Sequence, residues 1–199
     1  LGIVVLTGWF LVSERQLILE ERQAGVRQVV EAAHSTAKHF HTLAQKGEMT
    51  DAQAQKSAIA ALEAIRYSGS EYVWINDMQV VMVMHPIRPE LNGKNLSLHK
   101  DPNGKPLFTD FVRTDEASGA GFVPYLWPKP GSETPVEKTS YVKGFAPWGW
   151  VIGSGVYIDT VDAAIWKRAQ GFGLLALLLG AVLLAVGMLI SRNLLLQLG

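Results

Sequence analysis

The 199-residue chain predicts an α+β fold in which a single antiparallel sheet packs against a long N-terminal helix. Three observations carry this. A helical period runs through residues 13–46 with no proline and one glycine, Gly25. From Tyr72 onwards, short runs rich in β-branched and aromatic residues alternate with Gly-, Pro- and Asn-rich turns. Successive strands are joined by short connections except for one long loop, which favours antiparallel pairing.

The elements follow in order. Leu1–Val12 (LGIVVLTGWFLV) is uncharged, but as a helix it reaches only about 18 Å, short of the roughly 30 Å hydrocarbon core. It reads as the end of a first transmembrane helix, with a signal-peptide core as the alternative. Between Ser13 and Lys46, Val26, Val29, Val30, Ala33, Ala37, Phe40 and Ala44 recur at three- and four-residue steps, one apolar stripe. The stripe is longer than one sheet needs to cover, so part of it is expected to pair with a second copy in a homodimer. Gly47 stops this helix. Thr50-Asp51-Ala52-Gln53 has the form of a capping box, and the helix it opens buries Ala58, Ile59, Leu62 and Ile65 before ending near Ser68-Gly69.

Strands are predicted at Tyr72–Ile75 and Val80–Met84, with Asn76-Asp77 as the turn between them. The loop His85–Pro106 follows, then a short helix over Leu107–Thr114 and three strands: Gly121–Trp127, Val136–Phe145 and Trp150–Tyr157. Residues 128–135 form a hairpin loop, and Asp159–Arg168 is helical. Residues 169–191 (AQGFGLLALLLGAVLLAVGMLIS) are apolar and uncharged between Arg168 and Arg192, long enough to cross a bilayer. The chain therefore divides into a truncated first membrane helix (1–12), one ligand-binding-sized domain (13–168), a second membrane helix (169–191) and the start of a following segment (192–199).

Composition removes several functions. With 18 basic and 18 acidic residues there is no electrostatic case for nucleic acid. The absence of cysteine excludes disulfides and thiolate chemistry. His34, His39 and His41 share a helix at spacings that do not converge on one ion. Asp101-Pro-Asn103-Gly-Lys105 departs from a calcium loop, and Gly153-Ser-Gly155 lacks the third glycine of a nucleotide loop. No serine lies in a nucleophile elbow, so no catalytic centre, metal or cofactor is expected.

What stands out is a polar and aromatic set on the strands. Tyr72 and Trp74 share one sheet face by the two-residue period, and His85 ends the second strand. Tyr125 and Trp127 share a face of the third, Lys138 opens the fourth with Tyr141 nearby, and Arg66 closes the second helix. A small carboxylate taken out of water needs a cation and hydrogen-bond donors to offset its desolvation. Lys138, Arg66, His85 and tyrosine hydroxyls could supply these, with aromatic walls around a short carbon chain. The other reading of the same residues has Trp and Tyr as core and the cations as solvated surface.

Five stretches, YVWIND (Tyr72–Asp77), MHP (Met84–Pro86), LNGKNL (Leu91–Leu96), GFVPYLWPKPG (Gly121–Gly131) and EKTSYVKGFAPWGWVIGSGVY (Glu137–Tyr157), resemble the single Cache domain of bacterial transmembrane receptors. They are most similar to the type 2 single Cache sensor of methyl-accepting chemotaxis proteins. The resemblance extends over nearly all of residues 13–165, and Ser191–Gly199 resembles the lead into a HAMP signalling segment.

That resemblance implies a PAS-like five-stranded antiparallel sheet flanked by transmembrane helices, in a multi-pass protein of the inner membrane with its sensor in the periplasm. It implies a small organic acid as ligand, of the acetate, propionate, pyruvate or lactate class, in a pocket closed by the 86–106 loop. Lys138, His85, Tyr141, Tyr72 and Tyr125 are then the expected carboxylate contacts, with Trp74 as apolar wall and Arg66 alongside. The output would be control of a cytoplasmic chemotaxis kinase and its adaptor by a homodimer, with no enzyme activity in the receptor itself. The sensor region of a histidine kinase or cyclase receptor is the alternative.

Overall fold

The computed structural model describes residues 2–159 throughout, and beyond them residues 162, 163, 165, 166, 170, 171, 178, 180–182 and 184–188; side chains are described from residue 12. Most of the predicted membrane segment 169–191, and all of 192–199, lie outside the described residues. Among the described residues no helix is long and apolar enough to cross a membrane. Two compact units form, one of residues 1–16 with 160–199 and one of Leu17–Asp159. In the first, Arg15 Nε donates to Asp162 Oδ1 at 2.8 Å. The second contains the sheet.

Helix α1 runs Gly2–Gln45, because no proline or turn separates the apolar start from the stripe that follows. Helix α2 spans Asp51–Glu63 behind the predicted capping box: Thr50 N–H donates to Gln53 Oε1 at 2.9 Å and Gln53 N–H to Thr50 Oγ1 at 3.2 Å. It ends earlier than expected. Ser68 and Gly69, at φ 46° and 92°, turn the chain into a hairpin. A two-residue strand β1 (Arg66–Tyr67) thereby pairs with β2 (Glu71–Asp77). This short strand makes six among the described residues where five were expected; a run of two residues carries no periodicity for a sequence to show.

The remaining elements are β3 (Met82–Met84), α3 (Leu107–Ser118), β4 (Ala120–Pro128), β5 (Pro135–Phe145) and β6 (Trp150–Tyr157). The β2–β3 turn lies beyond Asn76-Asp77, because Asn76 still pairs in β2 and Asp77 Oδ1 accepts the N–H groups of Gln79 and Val81 at 2.9 and 2.8 Å. Strand order is β1-β2-β6-β5-β4, with β3 also on β2 and every pairing antiparallel.

Two apolar layers sandwich the sheet. On one face Val26, Val30, Ala33 and Ala37 of α1, with Ala58 and Leu62 of α2, pack on Val73, Ile75, Phe145, Trp150, Ile152 and Val156. On the other, Leu107, Phe108, Phe111 and Val112 of α3 pack on Trp74, Val123, Tyr125, Trp127, Val142 and Val151. The α1 stripe expected to serve a homodimer is therefore largely consumed within one chain: Val30, Ala33 and Ala37 are fully buried against their own sheet. The small side chains let the helix approach the strands closely, so a stripe that looked too long is filled by the seven-, eleven- and eight-residue strands β2, β5 and β6.

Candidate functional site

Strand β6 lies between β2 and β5 and presents Val151, Gly153, Gly155 and Tyr157 to the α3 face by the two-residue period. The glycines leave the floor bare. A Cβ at Gly153 would overlap the Trp74 indole, and one at Gly155 would overlap Ser140 Oγ and stand 2.9 Å from Lys138 Cε. The Gly-Ser-Gly run thus has a packing reason: it lets a long cationic side chain and an indole lie flat against a central strand.

Lys138 stands opposite Tyr157 in the β5–β6 register. It is 1% exposed. Its Nζ donates to the Tyr157 hydroxyl at 3.3 Å and lies 4.3, 4.4 and 5.6 Å from the ring centroids of Tyr72, Tyr157 and Trp74. Among the described residues no carboxylate forms an ion pair with it. Desolvated cation–π contacts contribute about 2 kcal/mol each, whereas a buried charge costs several kcal/mol. Three aromatic faces and one hydroxyl are a partial solvent for an ammonium; an anion is the missing part.

His85 follows β3 directly, its ring centroid 5.0 Å from that of Tyr72 and 5.9 Å from that of Trp127. Nδ1 accepts the main-chain N–H groups of Arg88 and Ile87 at 3.0 and 3.3 Å. Burial, then the charges of Lys138 and Arg88, lower its pKa to about 3. The ring is neutral at physiological pH and carries its proton on Nε2, as a donor. Tyr125 is held by a 2.8 Å hydrogen bond between its hydroxyl and Ser140 Oγ. Burial pushes the phenols of Tyr125 and Tyr157 up, so both remain donors. Among the described residues the buried Trp74 indole N–H has no hydrogen-bond partner. Tyr72, Trp74, His85, Tyr125 and Trp127, with Leu107, Phe108 and Phe111 of α3, enclose a cavity of about 10 Å³. That is room for roughly one water, so a larger guest requires the walls to part.

Five of the seven predicted site residues, Lys138, His85, Tyr72, Tyr125 and Trp74, meet in this cluster. Two do not. Tyr141 lies three residues from Lys138, an odd step that sends it through the sheet to the α1 face, where its ring centroid lies 4.9 Å from that of Phe122 at an interplanar angle of 58°. Arg66 is exposed in β1 and donates to the carbonyls of Glu63 and Ile65, both at 2.7 Å, closing the C-terminus of α2. α3 walls this small cavity, which the 86–106 loop backs through His99 against Phe108 and Arg88 over Trp127; Asp101, Asn103 and Lys105 of that loop also line a larger cleft, about 290 Å³, on Lys138 and Tyr125. Sequence reasoning also missed Tyr157 and Phe111. Tyr157 is in phase with Gly153 and Gly155, a signal that becomes readable once the glycines are taken as a floor.

The Cache domain family profile matches residues 10–171. The methyl-accepting chemotaxis protein McpP of Pseudomonas putida is 39% identical over 167 residues, which cover 84% of this chain and 31% of that protein. The sensor histidine kinase MctS of Rhizobium johnstonii is 28% identical over 148 residues, 74% of this chain and 31% of its own length. The chain thus spans about a third of the length of the curated relatives it matches. A solved periplasmic sensor domain of a chemotaxis protein shares 56% identity at a TM-score of 0.69, covering 70% of this chain and 96% of that one. A Cache chemosensory domain solved to explain carboxylic acid recognition shares 42% identity, also at 0.69, over 71% of this chain and 97% of its own.

Proposed function

The chain belongs to the Cache domain family, and from that premise we propose that it is the sensor region of a chemoreceptor that binds a small monocarboxylate at Lys138. The observation that carries the reading is the buried Lys138 ammonium, surrounded by aromatic faces and, among the described residues, in no ion pair with a carboxylate. A ligand carboxylate would complete it, with the Trp74 and His85 N–H groups as further donors and the Tyr72, Trp127 and Phe111 rings around a chain of two or three carbons. Acetate, propionate, pyruvate and lactate are of that size. α3 is the wall that moves to admit them.

In this reading the sensor faces the periplasm of a bacterial inner-membrane protein, anchored by residues 1–12 and 169–191, and two copies associate by a surface other than the buried stripe of α1. Binding passes along β6 and onward to a chemotaxis kinase and adaptor. The histidine kinase relative keeps a second output open, a kinase domain in the same polypeptide; sequence beyond residue 199 separates the two.

Calorimetry of the chain with acetate, propionate and pyruvate tests the site. Lys138→Ala is expected to lose about 2–5 kcal/mol of binding, on the order of 30-fold or more in affinity. A variant that binds all three acids as the parent does would sink the proposal.

A further inference from the structure

Lys138 is buried against aromatic walls that leave room for about one water, so a carboxylate arriving from solvent meets other groups first. A second cation touches those walls. The Arg88 guanidinium carbon stands 5.3 Å from the centroid of the Trp127 ring, and the Arg88 main-chain N–H donates to His85 Nδ1 at 3.0 Å. Its carbonyl accepts the Leu91 N–H at 3.0 Å, so the backbone is held on both sides. Arg88 Nη2 donates to Glu133 Oε2 at 3.1 Å, in the β4–β5 connection. The ion pair therefore joins the two loops that leave the cavity walls, one after His85 and one after Trp127. Its partners differ in freedom: the Arg88 side chain is 26% exposed and that of Glu133 93%. An exposed, screened carboxylate gains little from such a pair and exchanges readily, while the guanidinium stays over its indole. The connection itself need not move. Its base is fixed by the Tyr157 hydroxyl on the Pro128 carbonyl and by the Lys129–Asp159 ion pair.

We propose that Arg88 captures the ligand: an incoming carboxylate displaces Glu133 from the Arg88 guanidinium, passes on to Lys138 as α3 gives room, and Glu133 then returns. This rests on the carboxylate reading of the Lys138 site. The exchange swaps one counter-ion for another, with no covalent change. An anion entering an aromatic cavity loses its hydration before it reaches Lys138, and a guanidinium on the way offsets that loss where the barrier stands. Glu133 occupies Arg88 both before and after binding, so the pair sets the height of the barrier and leaves the bound state alone. Arg88 governs rates, and Lys138 governs affinity. Attraction of the anion to a partly exposed cation also makes association sensitive to salt.

The test is stopped-flow mixing of the full 199-residue chain in detergent with propionate at low and high salt, with Trp74 and Trp127 of the cavity wall as fluorescent reporters and calorimetry for the dissociation constant. Arg88→Gln is expected to slow association and dissociation together, each about five- to twentyfold, to remove the salt dependence of association, and to keep the dissociation constant within about threefold of the parent's. Glu133→Gln, at an exposed position on which packing does not depend, is expected to speed both about two- to fivefold. Opposite signs are the signature, because a clasp that only shut the cavity would make both variants faster. Both variants faster, or rates unchanged in Glu133→Gln, overturns the proposal. Weaker binding of Arg88→Gln through faster dissociation alone overturns it too, since Arg88 would then hold the bound ligand. Arg88→Lys separates charge from packing: it keeps the salt dependence if capture is electrostatic, and loss of that dependence overturns the proposal. In all these outcomes the parent binds and Lys138→Ala does not, so the carboxylate reading stands. Failure of the parent to bind acetate, propionate or pyruvate overturns that reading and this inference with it.

Discussion

The Tyr157 hydroxyl accepts a hydrogen bond from Lys138 Nζ at 3.3 Å while donating its own proton to the carbonyl of Pro128 at 2.9 Å. One phenol thus ties the buried cation of β5 to the end of the β4–β5 hairpin, and its donor capacity is spent on the backbone, which orients a lone pair at the ammonium. Tyr157→Phe would leave the Pro128 carbonyl and part of the Lys138 shell unsatisfied. It is expected to lower unfolding free energy by about 1–3 kcal/mol and to weaken propionate binding, read from urea denaturation and calorimetry. Unchanged stability would mean that water replaces the phenol without cost.

The bare floor of β6 makes a sharper test. In Gly155→Ala the new methyl meets Ser140 Oγ and Lys138 Cε, so the cation must shift or the strands must part. Overpacking of this kind costs about 1–3 kcal/mol. Gly25→Ala, on α1 with open space around its Cα, is expected to be neutral or slightly stabilising. The readouts are melting temperature and propionate affinity; Gly155→Ala should lose both, and Gly25→Ala neither.

Two tyrosines on opposite faces discriminate the site from the rest of the core. Tyr125→Phe removes the hydroxyl that bonds Ser140 inside the pocket cluster and is expected to weaken carboxylate binding. Tyr141→Phe, on the α1 face, is expected to leave binding unchanged. A binding defect in Tyr141→Phe with none in Tyr125→Phe would place the ligand on the wrong side of the sheet for the Lys138 reading.

His85 sets a dependence on acid. Its pKa is lowered to about 3 in the fold, against about 6.5 for a free imidazole, so between these values the unfolded chain binds the proton and the folded chain does not. Its contribution is present in full above the unfolded value and is lost as pH falls toward about 3, with a slope of up to about 1.4 kcal/mol per pH unit. Asparagine keeps an acceptor for the Ile87 and Arg88 amides but does not titrate there. Denaturation of the parent and His85→Asn between pH 7 and 4 should therefore show the parent's steeper decline; parallel curves would mean that His85 is protonated in the fold.

Much of this molecule was readable because its determinants are local. The capping box at Thr50, the stripe of α1, the alternation in β4 and the β-branched and aromatic runs of β5 and β6 each depend on residues within one turn or one strand. Strand alternation explains one error: Lys138 and Tyr141 are neighbours in sequence, but three steps along a strand is an odd number, and the sheet separates them. Arg66 failed for another reason, since the two-residue β1 carries its exposed guanidinium to the end of α2.

By itself, the sequence determined the order of elements, the antiparallel sheet against a long helix, and which residues are of a kind to hold a small anion. Tertiary structure alone decided that α1 spends its apolar stripe within the chain, that α3 walls the small aromatic cavity, and that Tyr157 meets Lys138. These outcomes depend on which strands become neighbours and how closely they approach. β6 joins residues more than 60 positions apart, as in the pairing of Val73 with Ser154, and its glycines open a floor that only a pairing across the sheet could fill with Lys138 and Trp74. The energy of a buried ammonium is a sum over groups brought together by that pairing, and no local window of sequence contains them.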